Sequence, residues 1–380
     1  MMVKNISSLI VFYLIVLSGS CQPVKIKASS ENELFNFLER EGRPPGQYLI
    51  EKFNDHDVIL LAEEHMIKEN LQFIQGIIPE LYKAGVYNLG MEFGASEDQQ
   101  LLDSLVTAKE YDESLARRIM FNYNVAWPYV EYMDVYRHAW MLNKSLPEGA
   151  RKFRVLNLSY QFDWSEFKGE RSPENMKKVF HKGGHEKYRA QIIEQEVLVK
   201  NEKIFVLTGT NHAFTHYKEP VFNYLAEDYC RFENGNMGNL LYEKYKERIY
   251  SVVIHQYFRN QINKEPRLLS PGNGLVEELL CKNGNSPLGF DLKETPLGEI
   301  ADSSYYSMGY TDFTLQNIFD GYIFLRPLNQ LNGCTVDCKF LEDRNWNNVV
   351  DQFPDPDWHG RPDSIADYWK FVTHNAMLNY

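Results

Sequence analysis

The sequence predicts an α/β protein: an open, mostly parallel β-sheet flanked by helices, with a C-terminal extension packed on it. Three observations lead there. Continuous apolar runs at Val58–Leu61 and Ile204–Leu207 suit strands buried on both faces. After the first run, apolar residues recur at helical spacing (Leu71, Ile74, Ile77, Ile78 and Leu81) until Gly85 ends the pattern. A second strand is then expected at Val86–Glu92, and strand, helix and strand in that order read as a right-handed parallel unit.

The other elements follow from the same reasoning. Residues 97–144 are expected to be mostly helical, with Trp127, Pro128 and Tyr129 opening the last long helix. Phe153–Leu158 and Ile249–His255 suit further strands, and residues 173–201 a helix-rich insertion. Beyond residue 262 the pattern weakens. Residues 287–291, 319–326 and 298–310 suit strands or loops, and 344–351 and 364–378 suit helices. The expected organisation is a signal segment over 1–21, a tether and short helix over 22–46, an α/β domain over 47–261, and an extension of that domain over 262–380.

Composition bounds the function. A 44% hydrophobic content in 380 residues supports a sizeable core, and 24% charged residues fit a globular chain. The net charge of −12 disfavours nucleic acid as a steered partner. Near the N-terminus, Lys4 precedes the apolar run Leu9–Leu17, which is too short to span a bilayer. Ser18, Gly19 and Ser20 then lead to Cys21. This resembles a lipoprotein signal with Cys21 as the acylated residue, and implies a lipid-anchored protein of the bacterial cell envelope facing periplasm or exterior. Such a compartment permits disulfides among Cys230, Cys281, Cys334 and Cys338, with Cys334 and Cys338 close enough in sequence to pair.

Ligands in open parallel sheets bind beyond the carboxyl ends of the strands. Three such ends carry chemistry here. Glu63, Glu64 and His65 close the first strand, Glu92 closes the second, and Gly209, Thr210, Asn211 and His212 follow the fourth. A buried carboxylate such as Glu92 needs a cation, a donor or a proton. His181 and His185 flank Gly183-Gly184 and read as surface residues or part of a lid. The sequence has no Gly-x-Ser-x-Gly elbow, no His-Glu-x-x-His and no P-loop.

Ala62-Glu63-Glu64-His65, a strand-end Glu92 and Gly209-Thr210-Asn211-His212 together resemble a superfamily. It joins ChaN-like haem-binding lipoproteins, Tiki metalloproteases and, more remotely, erythromycin esterases. Trp127-Pro128-Tyr129 and the strand ending at Asn157 resemble the ChaN-like pattern too. The resemblance spans roughly residues 48–256, and Ala62 departs from it by replacing a glycine. It implies two mechanisms. In one, His65, Glu92 and His212 hold a divalent metal (Mn, Co, Zn or Fe) that activates water. Glu63 or Glu64 then serves as general base and Asn211 orients a small-molecule or peptide substrate. In the other, the same edge binds haem or iron, with Trp127, Tyr129, Tyr132, Asn157 and His216 as ligand-binding candidates. A metal-dependent hydrolase is favoured, ahead of a haem-binding lipoprotein and a non-catalytic surface binding module. Haem held between two copies would make the protein a homodimer.

Overall fold

The computed structural model describes residues 30–223, 228–342, 346–354 and 360–378. The signal segment, Cys21 and the start of the tether lie outside the described residues. The strands are β1 (Val58–Glu63), β2 (Asn88–Ala95), β3 (Arg154–Ser159), β4 (Ile204–Gly209), β5 (Glu219–Asn223), β6 (Asp228–Glu233), β7 (Ile249–Ile254), β8 (Phe258–Arg259), β9 (Leu268–Leu269), β10 (Leu288–Asp291) and β11 (Gly321–Phe324). The helices are α1 (Glu31–Glu41), α2 (Pro45–Lys52), α3 (Lys68–Lys83), α4 (Gln99–Thr107), α5 (Glu113–Tyr123), α6 (Val130–Ser145), α7 (Pro173–Val179), α8 (His185–Glu196), α9 (Met237–Tyr245), α10 (Leu275–Lys282), α11 (Trp346–Asp351) and α12 (Ile365–Ala376).

Seven strands form the main sheet, in the order β10-β11-β7-β1-β4-β2-β3. All neighbours are parallel except β10, which runs antiparallel to β11 at the edge. β1 is wholly buried, and its alternation divides the core in two. Ile59 and Leu61 point into the layer built by α2 to α6. Val58, Leu60 and Ala62 point into the opposite layer, with α8, α9 and α10. This explains why the run is apolar without a break.

The parallel unit around α3 differs from the simplest sequence expectation. β1 and β2 are not neighbours: β4 lies between them, pairing with both. The far C-terminal elements join the same body, because β10 and β11 extend the sheet and Cys334, Phe340, Val349, Phe353, Tyr368 and Val372 pack in the layer of α3 to α6. Residues 298–310 form loops with one short 3-10 turn at Tyr305–Ser307. The β5–β6 hairpin is an element that the sequence pattern did not single out.

Two backbone constraints bear on the site. Gly94 follows a register shift in β2, and a Cβ there would stand 1.9 Å from Asn157 Oδ1. Met66, just after β1, adopts a left-handed φ of 68°, which costs on the order of 1–3 kcal/mol for a side chain of this kind. The residues after 331 hold it there. Ile67 and Tyr129 bridge to Gly333 and Val336, and Cys334 N–H donates to the Met66 carbonyl at 2.8 Å.

The same strap corrects the disulfide expectation. Cys334 is buried beneath this loop while Cys338 faces solvent, and Cys230, Cys281, Cys334 and Cys338 are all free thiols. In a chain lacking residues 1–21, a thiol reagent should therefore modify three cysteines quickly under native conditions. Cys334 should react only on unfolding. Two unreactive thiols that appear after reduction would overturn this assignment.

Candidate active site

The carboxyl ends of β1, β4 and β2 lie side by side. Glu63 stands level with Gly209 across the β1–β4 ladder. Glu92 extends β2 beyond its last paired residue with β4, Met91. The arrangement brings Glu63, His65, Glu92 and His212 to one edge, as the sequence expected.

Glu63 is almost completely enclosed, at 1% exposure. Its Oε1 accepts a 2.6 Å hydrogen bond from the Tyr132 hydroxyl and lies 3.3 Å from His65 Nδ1. Its Oε2 is buried and unpartnered. Burial raises the Glu63 pKa, against the opposing effect of His65 and Tyr132. The Tyr132 hydroxyl also accepts the Met66 N–H at 3.1 Å. One phenol thus fixes both the carboxylate and the turn that carries His65.

The His65 side chain keeps 37% exposure. Its ring stands edge-on to Phe93 and Trp127. Desolvation opposes its charged form, but Glu63, Glu92 and Glu64 outweigh it and pull the pKa up to about 9. The ring also explains Gly209. A Cβ there would meet His65 Cε1 at 2.7 Å and Nε2 at 2.9 Å. Only a glycine lets β4 pass so close to the imidazole.

Glu92 is held from two sides. Its Oε2 accepts from the Thr208 hydroxyl at 2.6 Å and from Gly209 N–H at 2.7 Å. Its Oε1 lies 3.5 Å from His212 Nε2 and 3.6 Å from the Arg189 guanidinium. Burial alone would raise this carboxyl, but His212, Arg189 and His65 hold it down at about 2. Arg189 is itself only 3% exposed. It donates from Nε to Ser159 Oγ at 2.9 Å and lies 3.6 Å from Glu186.

Glu186 completes the cluster. Its Oε1 lies 2.6 Å from His212 Nδ1, off the ring's N–H direction, and 2.9 Å from His185 Nε2. Its Oε2 accepts the Met237 N–H at 2.7 Å. Burial would raise its pKa, yet His185, His212 and Arg189 hold it far below the usual carboxylate range. Sequence reasoning missed Glu186 and Arg189. The available signal was an acid and a base three residues apart on α8, in the helix-rich insertion. His185 belongs with this cluster, edge-on to His212 at 6.1 Å.

The other sequence candidates divide. Glu64 and Asn211 line a cleft of about 250 Å³ together with Glu63, His65 and His212. Asn211 Nδ2 donates to Glu219 at 3.1 Å. Trp127 and Tyr132 support His65 and Glu63 from behind. Tyr129 is buried and donates to the Val372 carbonyl. Asn157 is buried and donates to the Ala95 carbonyl. His216 contacts the Gln316 carbonyl at 3.0 Å. None of these three lines the cleft.

The fit to a cofactor follows from these partners. Both Glu92 oxygens already face donors or cations, and the buried guanidinium sits where a metal would be repelled. Among the described residues, no three His, Cys, Asp or Glu side chains are placed to hold a metal ion together. His65, Glu92 and His212 thus meet as a charge-matched network that does not fit a metal. Three glutamates, two histidines, an arginine and three tyrosines line the cleft.

No family model matches the chain, and no curated protein matches its sequence. Solved structures do resemble it. A succinoglycan biosynthesis protein is 11% identical, with a TM-score of 0.54 over 81% of this chain and 99% of its own. A Bacillus cereus protein is 13% identical, with a TM-score of 0.50 over 81% of this chain and 100% of its own. An erythromycin esterase, in a mutant open form, is 11% identical, with a TM-score of 0.50 over 77% of this chain and 95% of its own. The chain shares their fold. The likeness to the erythromycin esterase is one of fold.

The network makes one substitution more costly than its shape suggests. Glu92→Gln preserves volume, but it removes one of the two carboxylates that face the buried Arg189 and leaves Glu186 alone against it. The expected loss is about 3–5 kcal/mol of folding stability, read from urea unfolding. A double variant with Arg189→Met should recover part of it. A single variant as stable as the parent would show that the pair is not coupled.

Proposed function

We propose that the chain is a hydrolase that cleaves an acyl ester by activating water at His65. The observation that carries this reading is the Glu63–His65 pair. Glu63 occupies the Nδ1 side of the ring, and Nε2 makes no hydrogen bond to a described residue, within a ring that lines the cleft. A group placed in this way takes a proton from water as that water attacks an acyl carbon. The carbon–oxygen ester bond then breaks, the acid keeps the new oxygen, and the proton passes to the departing alcohol. Asn211 lines the same cleft and supplies a donor for the charge that develops on the carbonyl oxygen. Arg189 and Glu186 act through His212 and Glu92 as positioning residues. The likeness to an erythromycin esterase supports the reading at the level of fold.

The raised pKa gives the reading a direction. A His65 pulled up to about 9 carries its proton at neutral pH, so the base form appears only as pH rises. Hydrolysis of a simple phenyl ester should therefore increase through pH 9. Glu63→Gln removes a carboxylate that favours the charged ring, and should move the midpoint to lower pH while reducing the maximal rate about tenfold or more. Activity should persist in a metal chelator. A chelator-sensitive rate, or an unshifted profile in Glu63→Gln, would count against water activation by His65.

Attachment through Cys21 belongs to the same proposal, and would place the enzyme at the cell envelope. Metabolic labelling with a fatty-acid probe should mark the full chain and be lost in Cys21→Ala. Equal labelling of both would exclude acylation at this cysteine.

A further inference from the structure

The cleft has two kinds of lining. The ends of β1 and β4 bring the proton-transfer groups, whereas Tyr257, Arg259, Tyr305 and Tyr306 come from the segments after β7. Tyr306 is only 8% exposed, yet its hydroxyl makes no hydrogen bond to a described residue. That hydroxyl lies within the fields of Glu64 and Glu219. A phenol kept at a cleft wall without a partner is available to a ligand. Arg259 is exposed and makes no side-chain hydrogen bond or ion pair with a described residue.

Charge selects the kind of ligand. Deep in the site, Glu63 is matched by His65, and Glu92 and Glu186 by Arg189 and His212. At the mouth, Glu219 is occupied by the amides of Asn211 and Asn236 and is pushed toward its neutral form by burial. Glu64 and Arg259 remain and offset one another. An anionic ligand would face Glu64 and Glu219, and a cationic one would face Arg259. Hydroxyl groups suit every member of this lining. Carboxylates accept from them, while the Arg259 guanidinium and the Tyr306 phenol donate to oxygen. The tyrosine rings offer flat apolar faces for C–H groups.

We propose that the cleft binds a neutral, hydroxyl-rich acyl ester, of the kind presented by an acylated sugar, through the Tyr306 hydroxyl, Arg259, Glu64 and Glu219. Cleavage of that ester rests on the hydrolase reading above, but recognition of the sugar does not. Water adds to the acyl carbon, the acyl–oxygen bond breaks, and the freed sugar hydroxyl takes the proton.

The test uses mono-O-acetylated methyl hexopyranosides on gluco, galacto and manno frameworks, with their uronate and amino-sugar counterparts. Acetate release is measured, and saturation-transfer NMR follows binding of the unacetylated methyl glycosides. The expected result is a kcat/KM about tenfold higher for at least one neutral ester than for either charged counterpart. Tyr306→Phe and Arg259→Gln should each raise KM about fivefold, with kcat close to the parent. Glycoside binding that weakens in Tyr306→Phe, without acetate release, upholds this site and overturns the hydrolase reading instead. Cleavage of phenyl acetate with no preference among the sugar esters upholds hydrolysis and overturns this proposal. Preference for a charged counterpart, or neither binding nor release with any probe, overturns it as well.

Discussion

The buried pairing of Glu92 with Arg189 is the constraint around which the site is arranged. Neither charge could be enclosed alone, because taking an isolated ion out of water costs several kcal/mol even after relaxation. Each requires the other, and each recruits further partners. Glu92 draws the Thr208 hydroxyl and Gly209 N–H, which fixes the end of β4. Arg189 draws Ser159 and Glu186, which ties α8 to the end of β3. His212 is held between the two acids. The insertion that carries α8 is therefore a wall of the site rather than a peripheral lid.

A second group of contacts controls His65. The turn after β1 passes through a left-handed Met66, and Tyr132 and Cys334 stabilise that conformation from opposite sides of its peptide units. The strap that carries Cys334 belongs to the C-terminal extension, over 260 residues further along the chain. The extension also supplies two sheet strands and part of the cleft lining. It builds the site as well as covering the core.

These two networks separate structural from chemical charge. Deep in the site, the buried charges of Glu92, Arg189 and Glu186 meet one another. Where the cleft opens, His65 Nε2, the Tyr306 phenol and Arg259 lack partners among the described residues. Such a division suits a pre-organised polar site, in which dipoles and charges are oriented before a ligand arrives. It also gives the acids and imidazoles that look like a metal set in sequence a different partner. A guanidinium supplied by α8 already provides the positive charge that a cation would bring.

The sequence by itself determined the strands and which residues end them. Unbroken apolar runs at Val58–Leu61 and Ile204–Leu207 suit buried strands, and polar residues directly after such strands emerge at a sheet edge. Glu63, His65, Glu92 and His212 were legible for that reason. Tertiary structure alone decided the order of those strands. β4 enters between β1 and β2, although it follows them by more than 100 residues, and no local pattern encodes which gap a later strand fills. That insertion sets Gly209 against the His65 ring and His212 beside Glu92. Arg189, Glu186 and Tyr306 were invisible for the same physical reason. An isolated Arg, Glu or Tyr on a helix or loop has the same local signature whether it faces solvent or a buried charge, and only the packing of distant elements separates the two.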